Sequence, residues 1–284
     1  MLGPHIIVRS LSENRIADRG GTEWQYHPQS DRHSKIACWA VLFDLVRTCP
    51  LLLQHIRDQR VGFGINHSMI DFTADRKKDL DLVVAIPRSG QEDLRGARSF
   101  RHLAEQYHIR LSADERRQLE ELPDFMQMPV GDVLLALEAK ASMAAHVRAG
   151  PRLYDELTSA WQCINGSSAH AIAVAFGMVN ASSEFVSPKR NAHGGDLPGA
   201  VVSVENQPNG ALHIQRRFRS LRVRGHVTER GYDAVGLITV IARNDGSPIE
   251  LAPVPPGLPN TDSLHYERMV LRIAGLYDGR FSNR

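Results

Sequence analysis

The residues of this sequence best suited to chemistry are an acid and a lysine at the end of an apolar segment. Glu138 and Lys140 follow the apolar run 133–137. Because successive side chains of a strand point to opposite faces, residues two apart share one face. Glu138 and Lys140 are therefore either a surface ion pair, which is common and individually weak, or part of a metal site.

A second apolar segment carries two further acids. Asp79 and Asp81 precede the run 82–86, and strand alternation predicts that they share one face while Leu80 and Leu82 point to the other. A buried carboxylate without a partner costs several kcal/mol unless it is neutralised or binds a metal. Carboxylate oxygens are the ligands that Mg²⁺ selects. The acids and the lysine together therefore favour a divalent cation site.

The elements that must position these residues follow the order helix, strand, strand, insertion, strand, helix, strand. Residues 88–129 are polar and contain a capping-box pattern, Ser112 followed by Glu115, which predicts a helical insertion. The other predicted elements are a helix at 33–48, two strands around a charged turn within 60–87, a strand at 132–140, a helical region broken at Gly150 and Pro151, and a strand at 168–180.

Both ends of the chain are predicted to lie outside this core. Residues 1–32 are polar and rich in Gly, Arg and Asp, and they predict an arm that leads into the first helix. Residues 181–284 contain one strand segment, 234–246, an Arg-dense segment and a closing helix. One strand cannot close a sheet alone, so we expect this extension to pack on the core.

Composition narrows the class of protein. The 284 residues carry 34 Lys plus Arg against 32 Asp plus Glu, a formal net charge of +2, which gives no global polycation argument for nucleic acid. The three cysteines, Cys38, Cys49 and Cys163, have no CxxC pairing, and we expect buried free thiols in a reducing compartment. We find no signal-peptide pattern and no run of about twenty apolar residues, so we expect a cytoplasmic protein without membrane segments.

The segments "DLDLVVA" and "LLALEAKAS", in this order of elements, resemble the PD-(D/E)XK superfamily of restriction-endonuclease-like nucleases. The resemblance covers roughly residues 33–180 and is nearest to bacterial restriction and anti-phage effector nucleases. It implies an α/β fold with an αβββαβ core and a mixed central sheet, here with a helical insertion and a C-terminal α+β extension. Position by position, Asp81 and Glu138 match the metal ligands and Lys140 matches the catalytic lysine.

The resemblance further implies the cofactor, substrate and assembly. It predicts a Mg²⁺-dependent endonuclease, with Mn²⁺ as a substitute metal, that hydrolyses phosphodiester bonds of double-stranded DNA. Cutting both strands with one site per chain favours a homodimer or higher homo-oligomer. Family members often add an acid from the first helix, for which Asp44 is the candidate, and Asp79 is a second possible extra acid.

Local basic clusters supply candidates for phosphate contacts, which give affinity and salt dependence rather than sequence choice. The Arg residues between 216 and 224 alternate with apolar residues, which predicts a strand or hairpin with one basic face. The alternative for each is a solvated side chain paired with an acid. The candidate DNA-binding residues are Arg76, Lys77, Lys78, Lys189, Arg190, Arg217, Arg219, Arg222 and Arg224.

Two other classes of function remain as alternatives. The first is a non-catalytic nucleic-acid-binding or regulatory protein on the same fold, against which the intact Asp81, Glu138 and Lys140 argue. The second is an enzyme of another class. The sequence contains no GxSxG elbow, no GxxxxGK[ST] loop and no GxGxxG after a strand, which leaves that class without a motif.

Overall fold

A computed structural model describes residues 1–72, 74–88, 97–191 and 200–283. Within these residues, a six-stranded mixed sheet lies between two layers of helices, in the strand order β10-β9-β6-β5-β4-β3. The strands are β1 (Ile16–Ala17), β2 (Glu23–Trp24), β3 (Gly62–Asp71), β4 (Arg76–Pro87), β5 (Val130–Ser142), β6 (Ile172–Asn180), β7 (Glu184–Val186), β8 (Val202–Val204), β9 (Ala234–Ile241) and β10 (Glu250–Leu251).

The helices divide between the two faces of the sheet. The helices are α1 (Gly3–Leu11), α2 (Arg32–Thr48), α3 (Pro50–Arg57), α4 (Phe100–Gln106), α5 (Ala113–Glu121), α6 (His146–Ser167), α7 (Asn209–Arg219) and α8 (Tyr266–Phe281). One apolar core joins α1, α2 and α8 to one face, and a second joins α6 and α7 to the other. Both faces of the central strands are thereby buried, which explains their continuous apolar runs.

The central elements occur in the order α2, β3, β4, β5, α6, β6, with α4 and α5 between β4 and β5. Strands β3, β4 and β5 form an antiparallel meander, and α6 then crosses over so that β6 lies parallel to β5. The predicted helix and strands are confirmed within a few residues at each end. The predicted capping box of α5 is also present, with Ser112 and Glu115 bonded reciprocally. Residues 89–96 of the predicted insertion lie outside the described residues.

The amino-terminal residues differ from the predicted arm. Helix α1 buries Ile6, Ile7 and Leu11 in the core that also contains α2. The sequence places Gly3 and Pro4 at the start of this helix, within the residues 1–32 that were predicted to form an arm. Proline is well tolerated in the first turn of a helix, where its missing N–H costs nothing.

The last hundred residues extend the same sheet and the same cores. Strand β9 pairs in parallel with β6, and α8 packs beside α2. The Arg-rich segment, predicted as a strand or hairpin, instead contains helix α7. Its buried residues Ile214 and Phe218 lie four positions apart, which is the spacing of one helix face. The predicted break at Gly150 and Pro151 is also wrong, because α6 continues through both residues.

The three cysteines are free and buried, as predicted. Burial raises the pKa of the Cys38 thiol well above its ordinary value. Among the described residues, no single helix is long and apolar enough to cross a membrane; α2 and α3 meet the length and composition test only together, with a bend of 97° between them.

Candidate active site

The acids of interest lie on neighbouring antiparallel strands. Leu82 of β4 pairs with Leu137 of β5 at the end of their ladder, so Asp81 and Glu138 lie one residue beyond this pair, and the charge of Asp81 acts on Glu138. The Asp81 carboxylate also accepts a hydrogen bond of 2.9 Å from the backbone N–H of Ala139. This bond fixes the Asp81 side chain against β5, between the two residues that carry the glutamate and the lysine.

Strand β4 departs from regular alternation at Asp81. Leu80 packs in the core under α6 and α7, whereas Leu82 packs in the core under α2 and α8. Residues two apart normally share a face, so the predicted division into an acidic and a leucine face is wrong here. The β3 residue between the pairs with Leu80 and Leu82 is Asn66, whose φ of +52° is unusual for a side chain other than glycine. The irregularity lies at the position of Asp81.

Glu138 is almost completely buried, with 1% of its surface exposed. Its Oε1 lies 2.7 Å from the Lys140 ammonium and 3.3 Å from that of Lys78. Its Oε2 is buried without a hydrogen-bond partner among the described residues. Burial, together with the negative charge of Asp81, raises the pKa of Glu138. A buried carboxylate with one unsatisfied oxygen is costly, and a cation at that oxygen would remove the cost.

Lys140 lies between two carboxylates. Besides Glu138, its ammonium contacts Glu156 of α6 at 3.4 Å, and Arg152 holds that glutamate from the neighbouring turn at 2.7 Å. Burial alone would lower the pKa of Lys140, but the carboxylates of Glu138, Asp81 and Glu156 together outweigh this effect and raise the pKa. Lys140 is therefore a positioned ammonium group at neutral pH.

A cleft of about 480 Å³ opens beside this cluster, lined by Asp81 and Lys140 on the sheet, Glu156 on α6, and the chain segment 26–34. The segment is fixed by distant residues. The Tyr26 N–H donates to the Asn244 side chain at 2.8 Å, and the Gln25 amide donates to the Ser247 carbonyl at 2.8 Å. This wall of the cleft is thus held in place by residues near the other end of the chain.

The donor set suits a divalent cation that keeps several waters. Asp81 and Glu138 supply two hard carboxylates, and the orphaned Glu138 Oε2 supplies a free ligand atom. In the described part of the chain, no group of three or more His, Cys, Asp or Glu side chains is arranged to hold a metal. Two carboxylates without a third acid would leave a cation to take its other ligands from water or from a substrate.

Neither possible extra acid joins this cluster. Asp44 belongs to α2 and is fully buried against the start of α1. Its carboxylate accepts hydrogen bonds from the backbone N–H groups of Leu2 and Gly3 and from the Tyr266 hydroxyl. Carboxylates at a helix amino terminus satisfy free N–H groups and the helix dipole. Asp79 is exposed and accepts a hydrogen bond from Ser68 of β3. The suggestion that Asp44 supplies an acid to the site is therefore corrected to a capping role.

Replacing Asp44 by asparagine is expected to lower the free energy of unfolding by about 1–3 kcal/mol, because a buried charged acceptor of several hydrogen bonds is lost. Urea unfolding followed by circular dichroism measures this change. Binding of Mn²⁺, followed by electron paramagnetic resonance, should stay at the wild-type level. Normal stability combined with weakened Mn²⁺ binding would contradict the capping role.

The basic candidates divide into several environments. Lys78 belongs to the cluster around Glu138, Arg76 donates to the Gln162 side chain, and Arg219 forms a two-bond ion pair with Asp262 at 2.7 and 2.9 Å. Lys189 lies on the rim of the cleft. The remaining exposed or half-buried candidates are Lys77, Arg190, Arg217 and Arg222.

Arg224 is not available to DNA. It is 2% exposed and pairs with Asp233, itself 1% exposed, at 2.7 Å. The guanidinium also donates to the carbonyls of Ala169 and Ala171. Its assignment as a DNA-binding residue is therefore wrong, since a buried cation with a full set of acceptors cannot reach a phosphate.

Three residues of the cleft were missed in the sequence. Glu156 carries no strand signal, although its position four residues after Arg152 is the spacing of a helical ion pair. His33 lies against Tyr26, with ring centroids 5.2 Å apart. Burial lowers the pKa of His33 to about 4 and raises the pKa of Tyr26 to about 12, so both are neutral at pH 7. Nothing in their local sequence indicates that they line the same cleft as Lys140.

Comparisons of the chain with protein-family models, with curated proteins and with solved structures find no match.

Proposed function

We propose that this protein is a Mg²⁺-dependent endonuclease that hydrolyses phosphodiester bonds of DNA, on a restriction-endonuclease-like core. The observation that carries the proposal is the buried Glu138, close to Asp81 of the neighbouring strand and in contact with Lys140, with one oxygen that has no partner among the described residues. The order α2, β3, β4, β5, α6, β6 supports it, because it is the order that the resemblance to PD-(D/E)XK nucleases implies.

The residues of the site have separable tasks. Asp81 and Glu138 would hold Mg²⁺, and Mn²⁺ in its place. When bound, such a cation polarises a phosphate and lowers the pKa of a coordinated water. The Lys140 ammonium, fixed between Glu138 and Glu156, orients a water for in-line attack and stabilises negative charge that develops on the phosphate oxygens. Rigid strands keep these groups in a fixed relation, which lowers the entropic cost of reaching the transition state.

The rest of the proposal concerns the substrate and the assembly. Double-stranded DNA is the proposed substrate, as in restriction or phage-defence nucleases, and cutting both strands calls for two sites in a homodimer or larger homo-oligomer. The alternative is a non-catalytic nucleic-acid-binding or regulatory protein. One observation favours it: Glu138 Oε1 already lies beside two ammonium groups, as in an ion-pair network.

Digestion of supercoiled plasmid separates the two functions. The purified chain is expected to nick or linearise plasmid in Mg²⁺ or Mn²⁺ and to lose this activity in EDTA, with recovery when excess Mg²⁺ is restored. Glu138→Gln, prepared in parallel, controls for a contaminating nuclease because it preserves the side-chain shape. DNA binding without cleavage in either metal supports the non-catalytic alternative, and equal cleavage by Glu138→Gln contradicts the proposed site.

A further inference from the structure

A second cavity, of about 560 Å³, lies beside the cleft. We call it the basic pocket and define it by four of its lining residues, Arg15, Arg32, Lys35 and Arg98. Ser30 and Asp31 line both the basic pocket and the cleft, so a single turn of chain separates the two cavities. A ligand that crosses this turn can occupy both.

Arg32 is the most unusual residue of the basic pocket. Its Nε and Nη1 are buried and have no hydrogen-bond partner among the described residues. Only Nη2 is engaged, in a 2.7 Å bond to the carbonyl of Ser10. Burial lowers the pKa of Arg32 to about 10, so the side chain keeps its charge at pH 7. A partly buried guanidinium that has unused donors and pairs with no carboxylate in the described part of the chain indicates a site for an anion.

The other cations add positive charge without full compensation. Arg98 donates to the amide oxygens of Gln127 and Gln106, each at 3.0 Å, and forms no ion pair within the described chain. Lys35 is 7% exposed and lies 3.7 Å from Asp31. Arg15 pairs with Glu13, outside the lining, at 3.0 Å. Four cations therefore face a pocket whose lining contains one carboxylate, that of Asp31.

The basic pocket is also connected to the proposed catalytic strand. The Lys35 ammonium donates to the side chain of Asn66, and Asn66 lies between the two β3 residues that pair with Leu80 and Leu82, on either side of Asp81. An anion bound at Lys35 and Arg32 would thus lie next to the strand position that carries the first proposed metal ligand.

We propose that the basic pocket binds a phosphate group of the nucleic acid backbone, next to the phosphate that is hydrolysed. This inference rests on the proposed function for its occupant. Guanidinium groups suit phosphate because their planar array of N–H donors can make two parallel bonds to its oxygens. A nucleic acid strand that crosses Ser30 and Asp31 would place one phosphate in the basic pocket while the neighbouring, scissile phosphate lies near Lys140. A free phosphate presents the same chemistry, so the experiment must separate the two sources.

The experiment measures binding in EDTA, where metal-dependent cleavage cannot occur. Fluorescence anisotropy reports the affinity for fluorescein-labelled DNA, single-stranded and duplex, over a series of salt concentrations. Isothermal titration calorimetry reports binding of inorganic phosphate. The variants are Arg32→Gln and Arg98→Gln, and the matched control is Arg117→Gln, which removes the same charge from an exposed position on α5. Thermal unfolding shows whether each variant is folded, and Arg98→Gln keeps the test valid if losing the Ser10 bond unfolds Arg32→Gln.

The expected result is a loss of DNA affinity of about tenfold or more for each pocket variant, against less than about twofold for Arg117→Gln. The slope of log affinity against log salt should also shrink by about 0.7 to 0.9 per arginine removed. Loss of inorganic phosphate binding with unchanged DNA affinity overturns the backbone assignment. Wild-type values for both probes in both pocket variants overturn the inference altogether. If the wild type fails to cleave in Mg²⁺ while these binding losses appear, the proposed function fails and the phosphate site stands.

Discussion

Replacing Lys140 by alanine is expected to slow DNA cleavage by about 10²- to 10³-fold, the size of effect found when one preorganised donor to a transition state is removed. The affinity for Mn²⁺ should be kept, because Asp81 and Glu138 remain. Glu138→Gln should lose both cleavage and Mn²⁺ affinity, since it removes a ligand charge. Initial rates on a labelled duplex, together with Mn²⁺ titration, measure the two quantities separately.

The matched control for Lys140 is Lys77→Ala, because Lys77 is an exposed lysine on β4 that makes no ion pair in the described part of the chain. It removes the same charge and should change cleavage only through DNA affinity, by a few-fold. Two results would contradict the assignment: Lys140→Ala cleaving at the wild-type rate, or Lys77→Ala matching the loss seen in Lys140→Ala. In either case, Glu138 and Lys140 form only a structural ion pair.

Replacing Arg224 by alanine is expected to lower the free energy of unfolding by about 3–5 kcal/mol, because it leaves the Asp233 carboxylate buried beside only one remaining cation. That cation is Arg280, whose guanidinium contacts Asp233 from α8. Arg222→Ala is the matched control: Arg222 lies two residues away and is exposed, so its loss should change stability by less than about 0.5 kcal/mol. Denaturant unfolding measures both variants.

The same pair sets a pH dependence of stability. Burial alone would raise the pKa of Asp233, but the hydrogen bonds from Arg224 and Arg280 outweigh burial and lower it. The ordinary pKa of an aspartate is about 3.9. Because folding lowers the pKa of Asp233, its ionised form stabilises the fold at pH values above this ordinary value, and the stabilisation is lost as the pH falls through the lowered pKa. The wild type should therefore lose more stability than Arg224→Ala between pH 5 and pH 3. Parallel pH curves for the two proteins would show that the pair does not act in this way.

The sequence predicted the elements that carry strong local patterns. The continuous apolar runs before Glu138 and after Asp81 identify central strands, and helix α2 has apolar residues at helical spacing. The alternation of Arg with apolar residues between 216 and 224 was misleading. The same sequence also has helical spacing: Ile214 and Phe218 share one face of α7, and Leu221, just after the helix, packs in the same core. A short segment of this kind fits both the two-residue period of a strand and the 3.6-residue period of a helix. Only its packing against α6 decides between the two structures.

The roles of single charged residues were harder to predict than the elements. Asp44 is an acid like the proposed metal ligands, and Arg224 is an arginine like the proposed phosphate contacts. Nothing adjacent in sequence distinguishes either residue from those candidates. Their roles come from partners brought close by the fold: the start of α1 for Asp44, and Asp233 with the carbonyls before β6 for Arg224. The basic pocket was missed for the same reason, since its four cations come from three segments of the chain: Arg15, helix α2 with Arg32 and Lys35, and Arg98.

The wall of the cleft has a consequence for protein synthesis. Tyr26 and Gln25 are held by Asn244 and Ser247, more than two hundred residues later in the chain. During synthesis, the strands that carry Asp81, Glu138 and Lys140 leave the ribosome well before Asn244 and Ser247, so the segment beside the cleft lacks these two hydrogen-bond partners until late. Contacts so distant in sequence form late, because they must overcome the entropy of closing a long loop. Translation must therefore pass residue 247 before the segment that lines the cleft at 26–34 acquires these two anchors.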